Sequence, residues 1–370
     1  MSSSSSRRAR FTRGRIVAGA TAVIAAGIAV AATPASGATW GTSTGTQASQ
    51  VTAIRHGAHG ATTGAVLVKA GGALTTYWNR YAPSARVVTV AARPTQVSGA
   101  APARMARPQG PSVRIGGTGG LVGSHVAASK IRHFFGSTGQ PWYGNYWSAP
   151  ATTTGKVFFT DHTGGHWVCS GSLVNSNGKD LVITAGHCVY GTAGGEIPAG
   201  ETWHSNWVFA PDYSNGYAPF GYWYAKQLWT LTNYMNNDDE PDDLGAALLW
   251  PNSNGVNAVN WLGGQGMAWN QSSSQGIYDF GYPQAAPFNG QTLQYCTGTS
   301  GFGWFSNMEF LPSNFTGGSS GGPWLMNFNG TWGYVNSVND ATGYFFYPGQ
   351  MGGLYFGNSA GNLYNTVANL

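Results

Sequence analysis

Acidic residues are missing from the first 160 positions, since all 13 lie at or after Asp161. Arginine is missing from the other end, with none after Arg132. The net charge of +5 is therefore the sum of two unlike parts. Residues 1–135 carry 15 basic and no acidic groups, whereas the remainder sets three lysines against all 13 acids, a net of −10. One fold does not cover so sharp a split, so a two-part chain is expected. A basic total would ordinarily suggest a nucleic-acid partner. The aromatic-rich C-terminal part is acidic, however, and a poor ligand for a polyanion. Cysteine is scarce as well. Three residues allow one disulfide and leave a thiol over.

Long apolar runs are absent except for Ile16–Ala32. That run follows Arg7, Arg8, Arg10, Arg13 and Arg15, and leads into the small residues Pro34-Ala35-Ser36-Gly37-Ala38. The pattern predicts an export signal over residues 1–38, cleaved after Gly37 or Ala38. The run is short and rich in Ala and Gly, which favours a signal over a membrane anchor. Ser6-Arg7-Arg8 leaves a twin-arginine route open beside the general one. The mature protein is expected to be secreted, extracellular, free of the membrane and monomeric.

Residues 39–139 read as a propeptide and linker, with a disordered N-terminal extension as the alternative. Two runs are strand-like, Gly64–Lys69 and Arg86–Val90, and 98–123 has the Gly- and Pro-rich texture of a linker. The charge of this region could complement the acidic domain and assist folding or inhibition.

From Gly155 onward, short runs rich in Val, Ile, Tyr, Trp and Phe alternate with Gly, Asn, Pro and Ser clusters. Strands are predicted at Lys156–Thr160, Trp167–Val174, Leu181–Thr184, Trp203–Ala210, Tyr222–Leu231, Leu244–Trp250, Gly276–Gly281, Thr292–Gly298, Pro323–Asn327 and Thr331–Val338. No long amphipathic helix separates them, so the fold class is all-β. A closing helix over Ser359–Leu370 would turn Leu363, Val367 and Leu370 to one face.

Three stretches carry chemistry. In Thr316-Gly317-Gly318-Ser319-Ser320-Gly321-Gly322-Pro323-Trp324 a serine stands in a glycine run, where a sharp turn can expose a hydroxyl and aim N–H groups at one point. Thr184-Ala185-Gly186-His187-Cys188 offers a base. Asp242-Asp243-Leu244-Gly245-Ala246 offers a carboxylate to hold that base in one tautomer. Singly, each has a plain alternative: a glycine turn, a core histidine, a solvated acidic loop. Their order is His, Asp, Ser, at separations of 56 and 77 residues.

These motifs resemble those of secreted bacterial serine endopeptidases of the chymotrypsin/trypsin-like clan, nearest to relatives of the glutamyl endopeptidases. Residues 184–188 match the clan's T-A-A/G-H-C, and residues 318–323 match G-D/N-S-G-G/S-P, with Ser319 where Asp or Asn usually stands. The likeness runs from about Gly155 to the C-terminus. It implies two β-barrels, over about 150–255 and 256–370 within a peptidase domain of 140–370, and a short C-terminal helix. It also implies a triad of His187, Asp243 and Ser320, whose order is the clan's. Gly318 and Ser320 would supply the oxyanion N–H donors, and Cys169 and Cys188 a disulfide. Asp243 is preferred among Asp238, Asp239, Glu240, Asp242 and Asp243 because a strand follows it as in the clan's pattern. Ser319 remains the alternative nucleophile.

Further expectations rest on the same likeness. Protein or peptide substrates and the chain's own propeptide are the expected partners. Pocket walls would come from Asn314 and from Ser337 and Asn339, within Asn336–Asn339. No acidic pocket base is evident, and Asn336 stands where glutamyl endopeptidases carry a histidine, so an uncharged pocket is expected. No cofactor is expected, and a metal site from the two cysteines and His187 lacks further ligands. Cys296 is left as a buried thiol, because the position near Ser313 that would pair with it is not cysteine. Ser319 cannot make the ion pair that an Asp there makes with a new N-terminus, so activation would work another way, such as removal of a steric propeptide. Two other readings stay open: a non-catalytic protein- or polysaccharide-binding protein using the 11 tryptophans after residue 155, and an esterase-like hydrolase.

Overall fold

The structure, a computed structural model, describes residues 52–56, 63–67, 73–87, 108–122, 136–143, 146–191, 202–303, 307–343 and 347–370. All of them belong to the compact unit Ala48–Leu370. The unit Met1–Gln47, with the whole of the expected export signal, lies outside the described residues, as do Val68, Lys69 and Val88–Val90 of the two strand-like runs.

Six strands close the first barrel: β1 (Thr154–Thr160), β2 (His166–Val174), β3 (Leu181–Ala185), β4 (Ser205–Pro211), β5 (Trp223–Leu231) and β6 (Leu244–Leu249). Hydrogen bonding runs β5–β6–β3–β2–β1–β4 and returns from β4 to β5. Every residue of β1, β3 and β6 is buried. Strands covered on both faces read as continuous apolar runs rather than alternating ones. Phe158 and Phe159 show how: Phe159 stacks on His204 at 4.2 Å, while Phe158 meets Trp78 at 5.5 Å and Tyr213 at 5.4 Å.

The second sheet contains β7 (Gly266–Trp269), β8 (Gly276–Gly281), β9 (Gln294–Thr299), β10 (Met308–Pro312), β11 (Pro323–Met326), β12 (Tyr334–Thr342) and β13 (Gln350–Leu354). The order β10–β13–β12–β11–β8–β9 makes an open half-barrel around Cys296, Leu311, Phe315, Trp324, Met326 and Met351. The expected all-β, two-barrel fold is thus present.

Several boundaries differ from expectation. β7, β10 and β13 had not been expected; glycine pairs or a buried Glu309 interrupt the pattern that would announce them. β12 extends to Thr342 rather than stopping at Val338, carrying Asn339 and Asp340 into the sheet. Within the expected linker, Val113–Ile115 pairs antiparallel with β7, so this part of 98–123 is docked strand. The C-terminal helix α1 (Asn358–Val367) buries Leu363 and Val367, but it ends before Leu370, which is 50% exposed. Most described tryptophans are core: Trp203, Trp207, Trp223, Trp229, Trp269 and Trp324 are buried, which leaves only a few after residue 155 to form an aromatic platform.

Residues 73–87 lie against the first barrel. Trp78 is wholly buried and donates to the Asn206 carbonyl at 2.6 Å. Tyr81 stacks on His166 at 4.4 Å, Tyr77 Oη lies 2.6 Å from His166 Nε2, and Arg86–Val87 pairs parallel with β2. Thr63–Leu67 pairs with β5.

The Cys169–Cys188 disulfide is present, tying β2 to the turn after β3. A link of this 19-residue separation restricts the unfolded chain by about 3 kcal/mol. Replacing both cysteines by serine is expected to lower the melting temperature by about 6–12 °C. A double variant melting with the parent would mean that β2 and β3 restrain the turn unaided.

Candidate active site

His187 stands in the short turn Gly186–Cys188 that ends β3, and it is wholly buried. Asp243 comes to it through strand register: Leu244, the next residue, pairs with Ala185. The His187 N–H donates to Asp243 Oδ1 at 2.7 Å, His187 Nδ1 lies 2.8 Å from Asp243 Oδ2, and Gly186 N donates to the Asp243 carbonyl at 2.9 Å. Its acidic neighbours stay nearer the surface, where Asp239 and Asp242 accept from Asn233. Burial alone would raise the Asp243 carboxyl. The charge of His187 and hydrogen bonds from the His187 ring, Asp340 and the His187 N–H outweigh it and hold the group below its ordinary range.

The serine turn is pressed against β2 and β3. Ser170 N donates to the Ser320 carbonyl at 2.7 Å, Ser170 Oγ to the Gly318 carbonyl at 2.9 Å, and Thr184 Oγ1 to the Ser170 carbonyl at 2.8 Å. Gly321 has φ +77°, and a Cβ there would lie 2.1 Å from Thr184 Oγ1 and 2.5 Å from the Ser170 carbonyl oxygen. Only glycine meets both demands. Gly318, with φ +98°, turns the chain just before the serine. No described residue accepts from the N–H of Gly318 or of Ser320.

Ser320 and His187 meet at Asp340. Ser320 Oγ lies 3.4 Å from the Asp340 carbonyl oxygen, and Asp340 Oδ1 lies 3.8 Å from His187 Nδ1. His187 Nε2 is buried without a hydrogen-bond partner, so the serine–histidine bond is not made in this structure. Such bonds often tighten only when substrate is bound. Ser319 is directed elsewhere: its Oγ donates to the Thr316 carbonyl at 2.9 Å.

The three residues expected to line a pocket differ in their exposure. Asn314 is exposed, and its Oδ1 accepts from Gly139 N at 2.7 Å, because the segment 136–143 lies over it. Ser337 is wholly buried beside Gly353 and Trp324. Asn339 is wholly buried too, its Nδ2 donating to Asp279 Oδ1 at 2.7 Å and its Oδ1 accepting from Trp324 Nε1 at 2.7 Å.

That last network was not foreseen. Asp279 Oδ2 also accepts from Ser313 Oγ at 3.0 Å and lies 3.6 Å from Cys296 Sγ. Cys296 is free and buried, with Ser313 Oγ 3.2 Å away, so the serine fills the place of a partner cysteine. Asn339 Nδ2 reaches the Ser319 carbonyl at 3.3 Å, which joins the network to the serine turn. Asp340 was also missed. The only signal was an isolated acid 20 residues after Ser320, beyond the predicted end of its strand.

No family model matches the chain. The fold is similar to the crystal structure of a thermostable serine protease, AL20, from an extremophilic microorganism, at 37% identity and a TM-score of 0.53, over 59% of this chain and 97% of that one. It is similar to protease Anisep from Arthrobacter nicotinovorans at 36% identity and a TM-score of 0.55, over 63% of this chain and all of the other. A stretch of 102 residues is 31% identical to the "Extracellular metalloprotease" of Bacillus subtilis (strain 168); it spans 28% of this chain and 29% of that protein's length. The metal in that name finds a poor donor set here. Cys169 and Cys188 are joined to each other and offer no thiolate, and the His187–Asp243–Asp340 group spends His187 Nδ1 on Asp243. The sequence has no H-E-x-x-H.

Burial pushes Asp279 up to about 7, against hydrogen bonds from Asn339, Ser313 and Cys296. A folded value above the unfolded one stabilises fully below the unfolded pKa and loses that contribution as pH rises toward the folded value. Denaturant titrations between about pH 4 and 8 should therefore show the parent losing stability more steeply than Asp279→Asn, whose amide can serve the same neighbours. Equal slopes would mean that Asp279 ionises as readily folded as unfolded.

Proposed function

The chain belongs to the serine endopeptidases of the chymotrypsin-like fold, and we propose that it cleaves peptide bonds with Ser320 as nucleophile, His187 as general base and Asp243 as the carboxylate that orients and charges the base. The observation that carries this is the buried His187–Asp243 pair, 2.8 Å apart, held against a serine turn whose Ser320 carbonyl is bound by Ser170. In the reaction Ser320 Oγ bonds to the scissile carbonyl carbon as its proton passes to His187 Nε2. The carbonyl oxygen becomes an oxyanion, for which the free N–H groups of Gly318 and Ser320 are suitable donors. Collapse breaks the C–N bond, the amine leaves with the proton from His187, and water releases the acyl group by the reverse sequence. One oxyanion donor is worth about 10²–10³ in rate.

The protein is read further as a secreted precursor. Its B. subtilis relative is named as extracellular, and the disulfide suits an oxidising compartment. The segment 73–87 lies close to the reactive turn in bonding terms: Gln284 Nε2 donates to the Ala85 carbonyl at 3.0 Å, and Gln284 N donates to the Gly317 carbonyl at 2.8 Å. That proximity supports a propeptide that bears on the site until it is removed. Protein or peptide substrates follow, taken by an uncharged pocket.

A fluorophosphonate probe tests this on the secreted protein freed of its N-terminal segment. One adduct per molecule should map to Ser320 and vanish in Ser320→Ala, while Asp243→Asn should lower kcat by about 10⁴. An unlabelled, folded protein would remove the catalytic reading. Matched ester and amide substrates would separate an esterase from a peptidase.

A further inference from the structure

Lys156 lies within β1 and is 1% exposed. A lysine ordinarily runs its stem along apolar surface and keeps its amine in water. Here the amine ends inside, with the rings of Tyr213 and Phe158 centred 5.1 and 5.4 Å from it. Among the described residues no carboxylate forms an ion pair with it, whereas Lys226 pairs with Asp180. Its partners are two oxygens of one loop: Nζ donates to Gln284 Oε1 and to the Gly290 carbonyl, each at 2.8 Å. A buried amine is costly unless it is well bonded, so these contacts hold the amine and the loop to each other.

The loop closes on the same side-chain amide. Gly290 N donates to the Pro283 carbonyl at 2.8 Å, and a Cβ on Gly290 would lie 2.6 Å from Gln284 Oε1. Lysine only donates and a carbonyl oxygen only accepts, so the two partners fix the orientation of that amide. Oε1 faces Lys156, and Nε2 faces the Ala85 carbonyl, 3.0 Å away. The main chain of the loop supports the serine turn. Gln284 N donates to the Gly317 carbonyl at 2.8 Å, and Thr316 Oγ1 to the Ala285 carbonyl at 2.9 Å. The Gly317 carbonyl and the Gly318 N–H belong to one planar peptide and point opposite ways. Fixing the first fixes the second. A peptide between two glycines has no side chain to resist its rotation, so the bond from Gln284 carries that task.

On the reading of Ser320 and the Gly318 N–H given above, we propose that Lys156 is a positioning residue for the oxyanion: it holds the loop 284–290, whose Gln284 N–H binds the Gly317 carbonyl and so keeps the Gly318 N–H turned to the reacting oxygen. When the segment 73–87 leaves, Gln284 loses Ala85 and keeps Lys156. Burial lowers the amine to about 7. Charged or neutral, it has the two N–H groups that its two acceptors take.

The test uses the enzyme freed of its N-terminal segment, with sites counted by complete fluorophosphonate labelling. Lys156→Met keeps the length of the stem and removes the donors. Its kcat per labelled site should fall about 10- to 100-fold, with KM within about twofold of the parent's. Affinity for a peptide aldehyde, whose adduct with Ser320 places an oxygen where the oxyanion forms, should fall by the same factor as kcat/KM. Gln284→Leu should lose as much, whereas Gln284→Glu, which keeps an acceptor for Lys156, should stay within about threefold of the parent. A variant carrying both Lys156→Met and Gln284→Leu should be no slower than the slower single one. The proposal is overturned if Lys156→Met keeps the parent's kcat per site, if its loss lies in KM, if Gln284→Glu is as slow as Gln284→Leu, or if the two single losses multiply. If Lys156→Met does not fold, the contrast between the two Gln284 variants decides. A parent that the probe does not label would sink the triad reading, whereas a labelled parent matched in kcat by Lys156→Met would sink this inference alone.

Discussion

A carboxylate buried beside one imidazole is the constraint from which much of this molecule follows. Removing Asp243 from water is costly, and a buried ion is tolerated only with close, well-aligned partners. Both barrels contribute to meeting that demand. The His187 backbone and ring face Asp243 because β3 and β6 are in register, and Asp340 approaches from β12 of the other barrel. Two unit charges at about 4 Å and an effective dielectric near 20 interact by about 4 kcal/mol. A site that misplaced either partner would therefore lose a sizeable share of a domain's net stability, typically about 5–15 kcal/mol.

The same economy of contacts holds the serine turn. Ser170, one residue after Cys169, binds the carbonyls of Ser320 and Gly318, while the disulfide fixes the histidine turn to the same strand. One short stretch of β2 thus sets the distance between the His187 turn and the Ser320 turn. The glycine at 321 permits that closeness, since any side chain would collide with Thr184.

Legibility from sequence followed the locality of the cause. The closeness of His187 to Asp243, the glycine turn at Ser320 and the cysteine pair were readable because each rests on a short stretch whose residue types are dictated by local geometry: a glycine turn, a strand end, an acid opening a strand. The barrel strands were readable where β-branched and aromatic residues cluster. Asp340 and Asp279 were not, because their meaning comes from residues 60 or more positions away in the chain, His187 and Asn339. The surroundings of the residues expected to line a pocket were not legible, for a related reason. Asn314 is exposed, yet its Oδ1 is taken by Gly139 N, and Asn339 looks polar and exposed until the sheet encloses it with Trp324. Val113–Ile115 shows the converse, since a strand of three residues in a Gly- and Pro-rich stretch is held by backbone pairing that leaves no side-chain pattern.

On the proposed reading of the chain as a precursor, the serine turn bears on how it would be switched on. Ser319 donates to Thr316 within its own turn, and its carbonyl accepts from Gly322 N at 2.8 Å and from Asn339, which is itself anchored on Asp279. These bonds form with residues 73–87 still docked on the first barrel. Their donors and acceptors are internal to the domain, so a newly freed amino group has no vacant carboxylate to meet at position 319. A turn already furnished with neutral and buried partners does not need to be built by cleavage. What cleavage can change is what lies over it: the Ala85 carbonyl on Gln284 and, through Gln284, the loop at Gly317. Control by access rather than by assembly is the arrangement that this bonding pattern favours.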